Sequence, residues 1–325
     1  MKKAIIIIAA MAAANAYSQN TKPIHISVVQ GLSTQGKESK NTDYHLSFNL
    51  FSGTVRSIKG VEVGTLYNQN NGDMTGFQTS GFLNLTKGNV VGFQNSGVTN
   101  ISGDVKGFQD AGISNHAKNL IGLQVSGIAN TAKEVKGGQI TGIFNRASTL
   151  KGLQIGLINY ADSVEKGGGI GLLNIYKKGG YREIEVSFAD YQNIGLSLKT
   201  GTKSIYSIVT LGYNFTPETL LISGFGIGTL RELRQNWFLK PELIMYNYNE
   251  DDFEFRTTSN STHLKIGIMR KVNKLGFTLM PSIYYANIPK NLEGSLTEIS
   301  RIKPFSQTKN GRFGFGLSLG IAFLK

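Results

Sequence analysis

Two periodicities divide this chain. Between residues 60 and 174 a motif recurs every fifteen or sixteen residues, and beyond 182 apolar and polar positions alternate one by one. The longer motif reads Gly-apolar-Gln-x-Ser/Ala/Thr-Gly-apolar-x-Asn. Its clearest copies are GFQTSGFLN (76–84), GFQNSGVTN (92–100), GFQDAGISN (107–115), GLQVSGIAN (122–130) and GGQITGIFN (137–145). A degenerate copy, GVEVGTLYN (60–68), precedes them, and shortened copies GLQIGLIN (152–159) and GGGIGLLN (167–174) follow. The leading glycines fall at 60, 76, 92, 107, 122, 137, 152 and 167. So regular a lattice predicts a stacked, quasi-one-dimensional architecture.

Count each leading glycine as position 0. Apolar residues recur two before it (Val90, Val105, Leu120, Val135, Leu150), one after it (Phe77, Phe93, Phe108, Leu123, Leu153) and six after it (Phe82, Val98, Ile113, Ile128, Ile143). Three such positions per unit are expected to point into the narrow core of a β-solenoid of about eight coils, a rod roughly 38 Å long. Gln at 78, 94, 109, 124, 139 and 154 recurs in phase, as does Asn at 68, 84, 100, 115, 130, 145, 159 and 174. Stacked at about 4.8 Å, these amides are expected to hydrogen-bond along the rod and to satisfy backbone groups at the corners. The rival reading makes each unit a strand of a membrane barrel. Against it, neither face of 107–115 suits lipid: Phe108, Asp110, Gly112 and Ser114 share one, Gln109, Ala111, Ile113 and Asn115 the other. Up-and-down strands also alternate between two kinds of turn, whereas this pattern repeats every single unit.

From 182 onward the period is two. Ile184, Val186 and Phe188 alternate with Glu183, Glu185 and Ser187; Trp237, Leu239, Leu243 and Met245 oppose Lys240 and Glu242. The last segment is the most regular, with Phe313, Phe315, Leu317, Leu319, Ile321 and Phe323 opposing Gly314, Gly316, Ser318, Gly320 and Ala322. About eight strands are predicted, several long enough to cross a bilayer when tilted, with an inner face of small residues and a few charges. Tight turns are expected at 199–203 and 271–274, long connections at 250–261 and 288–311. The competing arrangement is a soluble barrel or sandwich whose apolar face points inward. Segments 24–32 and 44–52 alternate too, and either complete the barrel or start the solenoid. The domain reading is therefore a signal peptide at 1–16, N-terminal strands at 17–54, a solenoid at 55–178 and a barrel at 179–325, an all-β fold.

The first sixteen residues, with Lys2, Lys3, an apolar stretch and Ala14-Asn15-Ala16, have the form of a cleavable secretory signal. Cysteine is absent, so stability rests on backbone ladders and core packing. The net charge is +13. Nucleic acid is not an expected partner, because the basic residues are spread over hairpin ends rather than gathered in one stripe. Anionic lipid head groups suit this distribution better.

Residues for chemistry are not apparent. His25, His45, His116 and His263 lack metal-ligand spacing, and no nucleophile elbow, phosphate loop or zinc motif occurs. Asp73, Asp104, Asp110 and Asp162 are out of phase, unlike calcium-binding β-rolls, and Thr79 and Thr141 make no ice-binding ladder. Glu250, Asp251, Asp252 and Glu254 could attract a divalent cation but read as a solvated loop. No catalytic, cofactor-binding or metal residue is assigned. The Gly-x-Gln-x-Ser-Gly-x-x-Asn repeats, followed by an alternating C-terminus containing Gly-Thr-Lys-Ser-Ile-Tyr-Ser-Ile (201–208), resemble bacterial surface-repeat proteins of the outer membrane. The resemblance implies place more than activity. The expectation is a non-enzymatic outer-membrane surface protein, a barrel anchor carrying a solenoid with a structural or adhesive role. Its expected partners are outer-membrane lipid and a surface ligand or glycan. The alternatives are a small porin with the repeats as barrel strands and a secreted solenoid acting on glycans.

Overall fold

The computed structural model describes residues 21–215, 220–250, 257–287, 302, 304–308 and 311–324. The expected signal segment and acidic residues 251, 252 and 254 lie outside the described residues, as does the side chain of Glu250. The fold is all-β, a solenoid of about nine turns and a closed eight-stranded antiparallel barrel. The chain divides into two compact units, Met1–Ser148 and Thr149–Lys325.

In the first unit the coils up to residue 126 each contribute a long and a short strand, and from Ala129–Thr141 onward the two run together into one. Met74–Ser80, Val90–Ser96, Val105–Ala111 and Asn119–Ser126 stack in parallel, in the register Gly76↔Gly92, Gly92↔Gly107 and Gly107↔Gly122. The short strands Tyr67–Asn70, Leu83–Thr86, Thr99–Ser102 and Ser114–His116 stack likewise, Asn upon Asn. Parallel pairing in this register excludes the repeats as barrel strands, which are antiparallel. At the other end of the chain segment, Thr21–Val29 pairs in parallel with Asp43–Asn49, and that strand with Ser57–Gly64. The N-terminal strands thus begin the solenoid and do not join the barrel.

Which side chains point inward differs from the expectation at two of three positions. Val90, Val105, Leu120 and Val135 are buried as expected. Phe77 and Phe82, one and six after the glycine, are 39% and 56% exposed, and Ile113, Ile128 and Ile143 are equally outward. Plain alternation explains the first: Phe77 lies three residues after buried Met74, at outward parity, while Gln78 and Ser80 fall on the buried side. Phe82 follows the corner glycine Gly81. Gly76, Gly92, Gly107, Gly122 and Gly137 have φ between 120° and 144°, where a Cβ would run into the carbonyl of the preceding coil. Gln at +2, Ser, Ala or Thr at +4 and Asn at +8 then face the core. Gln94, Gln109, Asn100 and Asn115 have no exposed surface at all. The displaced aromatic rings stack on the outside, Phe77 on Phe93 at 5.3 Å and Phe93 on Phe108 at 5.1 Å between centroids.

A polar core this thin depends on the matching of its repeated amides. Gln94, Gln109, Gln124 and Gln139 each donate from Nε2 to Oε1 of the Gln one coil earlier, at 2.6–2.9 Å. The Asn ladder runs in the opposite sense: Asn84, Asn100 and Asn115 donate from Nδ2 to Oδ1 one coil later. The same Nδ2 groups also donate to the carbonyls of Asn95, Asp110 and Val125, which fixes the amide orientation. Two ladders of opposed polarity leave little net dipole along the coils.

The second unit opens with the closing coils, in which Ile158–Ile170 pairs in parallel with Leu173–Lys178. The eight barrel strands follow: Tyr181–Ala189, Gln192–Gly201, Tyr206–Asn214, Leu220–Gly228, Trp237–Glu250, Thr257–Val272, Leu275–Asn287 and Gly311–Leu324. Each pairs antiparallel with the next, and the last closes on the first through Glu183↔Leu324 to Ala189↔Ser318. Connections 202–205, 229–236 and 273–274 lie at one end; the 190–191 turn and the strand ends Asn214, Leu220, Glu250, Thr257, Asn287 and Gly311 lie at the other. The final coil sits on the first of these ends. Asn174 Nδ2 donates to the Thr200 carbonyl at 3.0 Å, Gly171 N to Ser207 Oγ at 3.0 Å, and Thr202 Oγ1 to the Gly167 carbonyl at 2.7 Å.

A Cβ on Gly107 would lie 1.9 Å from the Gly92 carbonyl oxygen, on a backbone whose φ of 144° L-residues avoid. Gly107→Ala is therefore expected to cost at least about 2 kcal/mol, while Lys106→Ala on the exposed neighbour stays within about 0.5 kcal/mol. Denaturant unfolding of the full chain, followed by circular dichroism, checks both.

Candidate functional site

Three places carry unusual chemistry: the barrel interior, its outer wall, and the polar N-terminal end of the solenoid. Alternation along the barrel strands puts one set of residues inside and the other out. Contrary to the soluble alternative, the apolar set faces out. Leu196, Leu211, Met245, Ile266 and Leu319 are 53–62% exposed, and comparable residues come from every strand. The inward set includes Glu183, Glu185, Lys199, Lys240, Glu242 and Lys265, all nearly inaccessible.

These charges answer one another. Lys240 Nζ lies 2.5 Å from Glu183 Oε1 and 2.9 Å from Glu185 Oε2. Lys199 Nζ lies 2.7 Å from Glu242 Oε1 and 3.2 Å from Glu185 Oε2. Tyr206 donates to Glu242 at 2.9 Å, and Tyr181 donates to Glu183. Lys265 sits further along the bore between Tyr191 Oη at 2.5 Å and Tyr246 Oη at 2.8 Å, with its ammonium over both rings. Two lysines thus meet three glutamates, with the Lys265 charge further along the bore, and ammonium groups occupy the positions among the carboxylates that a cation would otherwise take. Tyr181, Tyr206, Tyr246 and Tyr248 with Ile208, Ile222 and Met269 fill the remaining space. The bore of an eight-stranded barrel is just wide enough for such side chains.

At the solenoid's N-terminal end the Gln ladder meets Glu62, which stands where later units carry Gln. Gln78 Nε2 donates to Glu62 Oε2 at 2.7 Å, and Asn49 Nδ2 donates to Oε1 at 3.1 Å. Both Glu62 oxygens accept, so Gln78 turns its amide nitrogen toward the carboxyl and its oxygen toward the next coil, and Gln94, Gln109, Gln124 and Gln139 keep that sense. Burial pushes the Glu62 carboxyl above its usual range. His25 is also fully buried, with Nδ1 3.1 Å from Ser47 Oγ and its ring against Tyr44, and burial lowers it to about 4.

Of the other histidines, His45 and His116 are exposed and His263 is buried in the barrel against Tyr191, Tyr246 and Tyr284. The four are not brought together. Sequence reasoning missed the Lys–Glu network. The available signal was charge at inward parity, Lys240 and Glu242 between outward Leu239 and Leu243. Comparison with family models, curated proteins and solved structures finds no match for the chain.

Lys240→Met would leave Glu183 and Glu185 under-compensated, and is expected to cost about 3–5 kcal/mol; adding Glu183→Gln should recover part of it. Unfolding of the detergent-solubilised chain measures both. His25 gives a pH dependence. Its folded value is depressed, so the unfolded chain takes up the proton first, and stability is lost as pH falls from about 6.5 toward 4. Hydrogen exchange of the 21–35 segment should show a loss on the order of 3 kcal/mol over that window, flattened in His25→Gln.

Proposed function

We propose that this chain is a non-enzymatic outer-membrane protein, a β-barrel anchor that carries a repeat solenoid with a structural or adhesive role. One observation carries the reading: a closed barrel with apolar side chains around its outer wall and neutralised charges inside. In water such a wall would be an apolar patch far larger than soluble monomers expose. Strands of nine to sixteen residues suit a tilted crossing of the hydrocarbon layer. No helix among the described residues is long and apolar enough to cross, so strands are the means available. An exported precursor with the expected signal at 1–16 fits this location.

The connections suggest an orientation. Outer-membrane barrels keep short turns on the periplasmic side and long loops outside. The strand ends Asn287 and Gly311, between which the chain is longest, lie opposite the end on which the final coil sits, which favours a periplasmic position for that coil. A structural role then has more support than an adhesive one. The porin alternative loses its premise, since the repeats are not barrel strands and the bore is filled.

Envelope fractionation followed by unboiled and boiled electrophoresis tests the proposal. A heat-modifiable band in the outer-membrane fraction is expected. A soluble protein with no mobility shift would overturn it.

A further inference from the structure

The end of the barrel that carries the 229–236 connection has an arrangement not needed for anchoring alone. Arg231–Arg234 forms a short strand paired with the fifth barrel strand, Arg231 opposite Leu239 and Arg234 opposite Trp237. On the other side of that strand, Trp237 is paired with Arg270. The Arg234 and Arg270 guanidinium groups lie 5.2 and 5.4 Å from the Trp237 ring centre. All three arginines are exposed, and among the described residues none has a carboxylate partner. Two unpaired guanidiniums against one indole, with Arg231 on the same short strand as Arg234, form a concentrated positive site with planar donors, the geometry that phosphate oxygens accept in pairs.

The surroundings say what kind of phosphate. Leu239, Ile268 and Leu279 lie in register on the outer wall immediately beyond Trp237 and Arg270. A groove of about 270 Å³ runs along this wall, lined by Ile205, Ile227, Pro241, Leu243 and Leu264. Pro241 is four residues from Trp237, roughly 13 Å along the strand. The Leu230 amide donates to the Lys203 carbonyl at 2.8 Å, joining the 202–205 turn to the arginine strand at the head of the groove. Charge at one end and an apolar trough leading from it match a molecule with an anionic head and an alkyl tail. A free phosphate would use only the first of these features.

We propose that Arg231, Arg234, Arg270 and Trp237 bind the phosphate of an anionic glycerophospholipid whose acyl chain lies in the groove of Ile205, Ile227, Pro241, Leu243 and Leu264. The inference rests on the membrane reading above and adds lipid selectivity to it.

Trp237 is the chain's single tryptophan, so its fluorescence reports this place alone. The full-length protein would be reconstituted in phosphatidylcholine vesicles. Brominated phosphatidylglycerol or brominated phosphatidylcholine, each with bromine near the top of the acyl chain, would then be added as quencher. Selective binding gives a relative association constant for phosphatidylglycerol of about five- to tenfold, reduced by high salt. It should fall to near one in the R231Q/R234Q/R270Q variant, with the heat-modifiable band showing that this variant still folds. The R231K/R234K/R270K variant should keep part of the preference, since charge remains and the planar fork is lost. Equal quenching by both lipids in the wild-type protein would overturn the lipid site while leaving the membrane anchor standing. No quenching by either would overturn both.

Discussion

The amide ladders and the charges that this fold turns inward have to be matched inward. That constraint governs the solenoid and the barrel alike. In the solenoid the coils are so thin that the inward positions are few, and Gln and Asn at those positions are stable only because the next coil repeats them at hydrogen-bonding distance. In the barrel the inward lysines and glutamates are stable only because they meet across the bore. In the barrel most of the large aliphatic side chains go to the outside, the reverse of an ordinary water-soluble core; in the solenoid the apolar residues are divided, with Val90, Val105, Leu120 and Val135 inside and Phe77, Phe82, Ile113, Ile128 and Ile143 outside.

The repeat explains how one rule can be satisfied many times over. A fifteen-residue step places each amide beside its own copy, so a single solution serves every coil. The ladder needs a beginning, and Glu62 supplies it: a carboxylate in place of the amide sets the direction of the Gln series and stops it. Within the second unit the Asn series ends differently. Asn159 donates to Asn174, and Asn174 donates to the Thr200 carbonyl of the barrel wall. The last coil therefore hands its ladder to a barrel strand instead of leaving amides open.

Much of the architecture was legible in the sequence because period and parity are one-dimensional properties. The glycine spacing marked the coils, the Gln and Asn phases marked the ladders, and the alternation of Phe313 to Phe323 with small residues marked a barrel strand. The direction of the solenoid side chains was not legible by the same route. Equating apolar with inward fails at Phe77 and Phe82: Phe77 stands at outward parity between buried Met74 and Gln78, and Phe82 follows the corner at Gly81. An invariant Gln beside a variable apolar residue was the better guide to the core. The barrel network was half legible: Lys240 and Glu242 stand at inward parity, but the 57-residue separation of Lys240 from Glu183 is a product of closure and leaves no local trace. The arginine site likewise depends on two hairpins brought side by side.

The absence of native cysteine permits the most direct test of the inside-out partition. Single cysteines at Leu264, Ile266, Ile268, Leu317, Leu319 and Ile321 would carry spin labels in protein reconstituted into bilayers, with collision rates measured against oxygen and a water-soluble nickel chelate. A wall turned to lipid gives high oxygen and low nickel accessibility at all six positions, deepest in the middle of each strand. Free access of the nickel chelate to these positions would contradict an apolar wall embedded in the membrane.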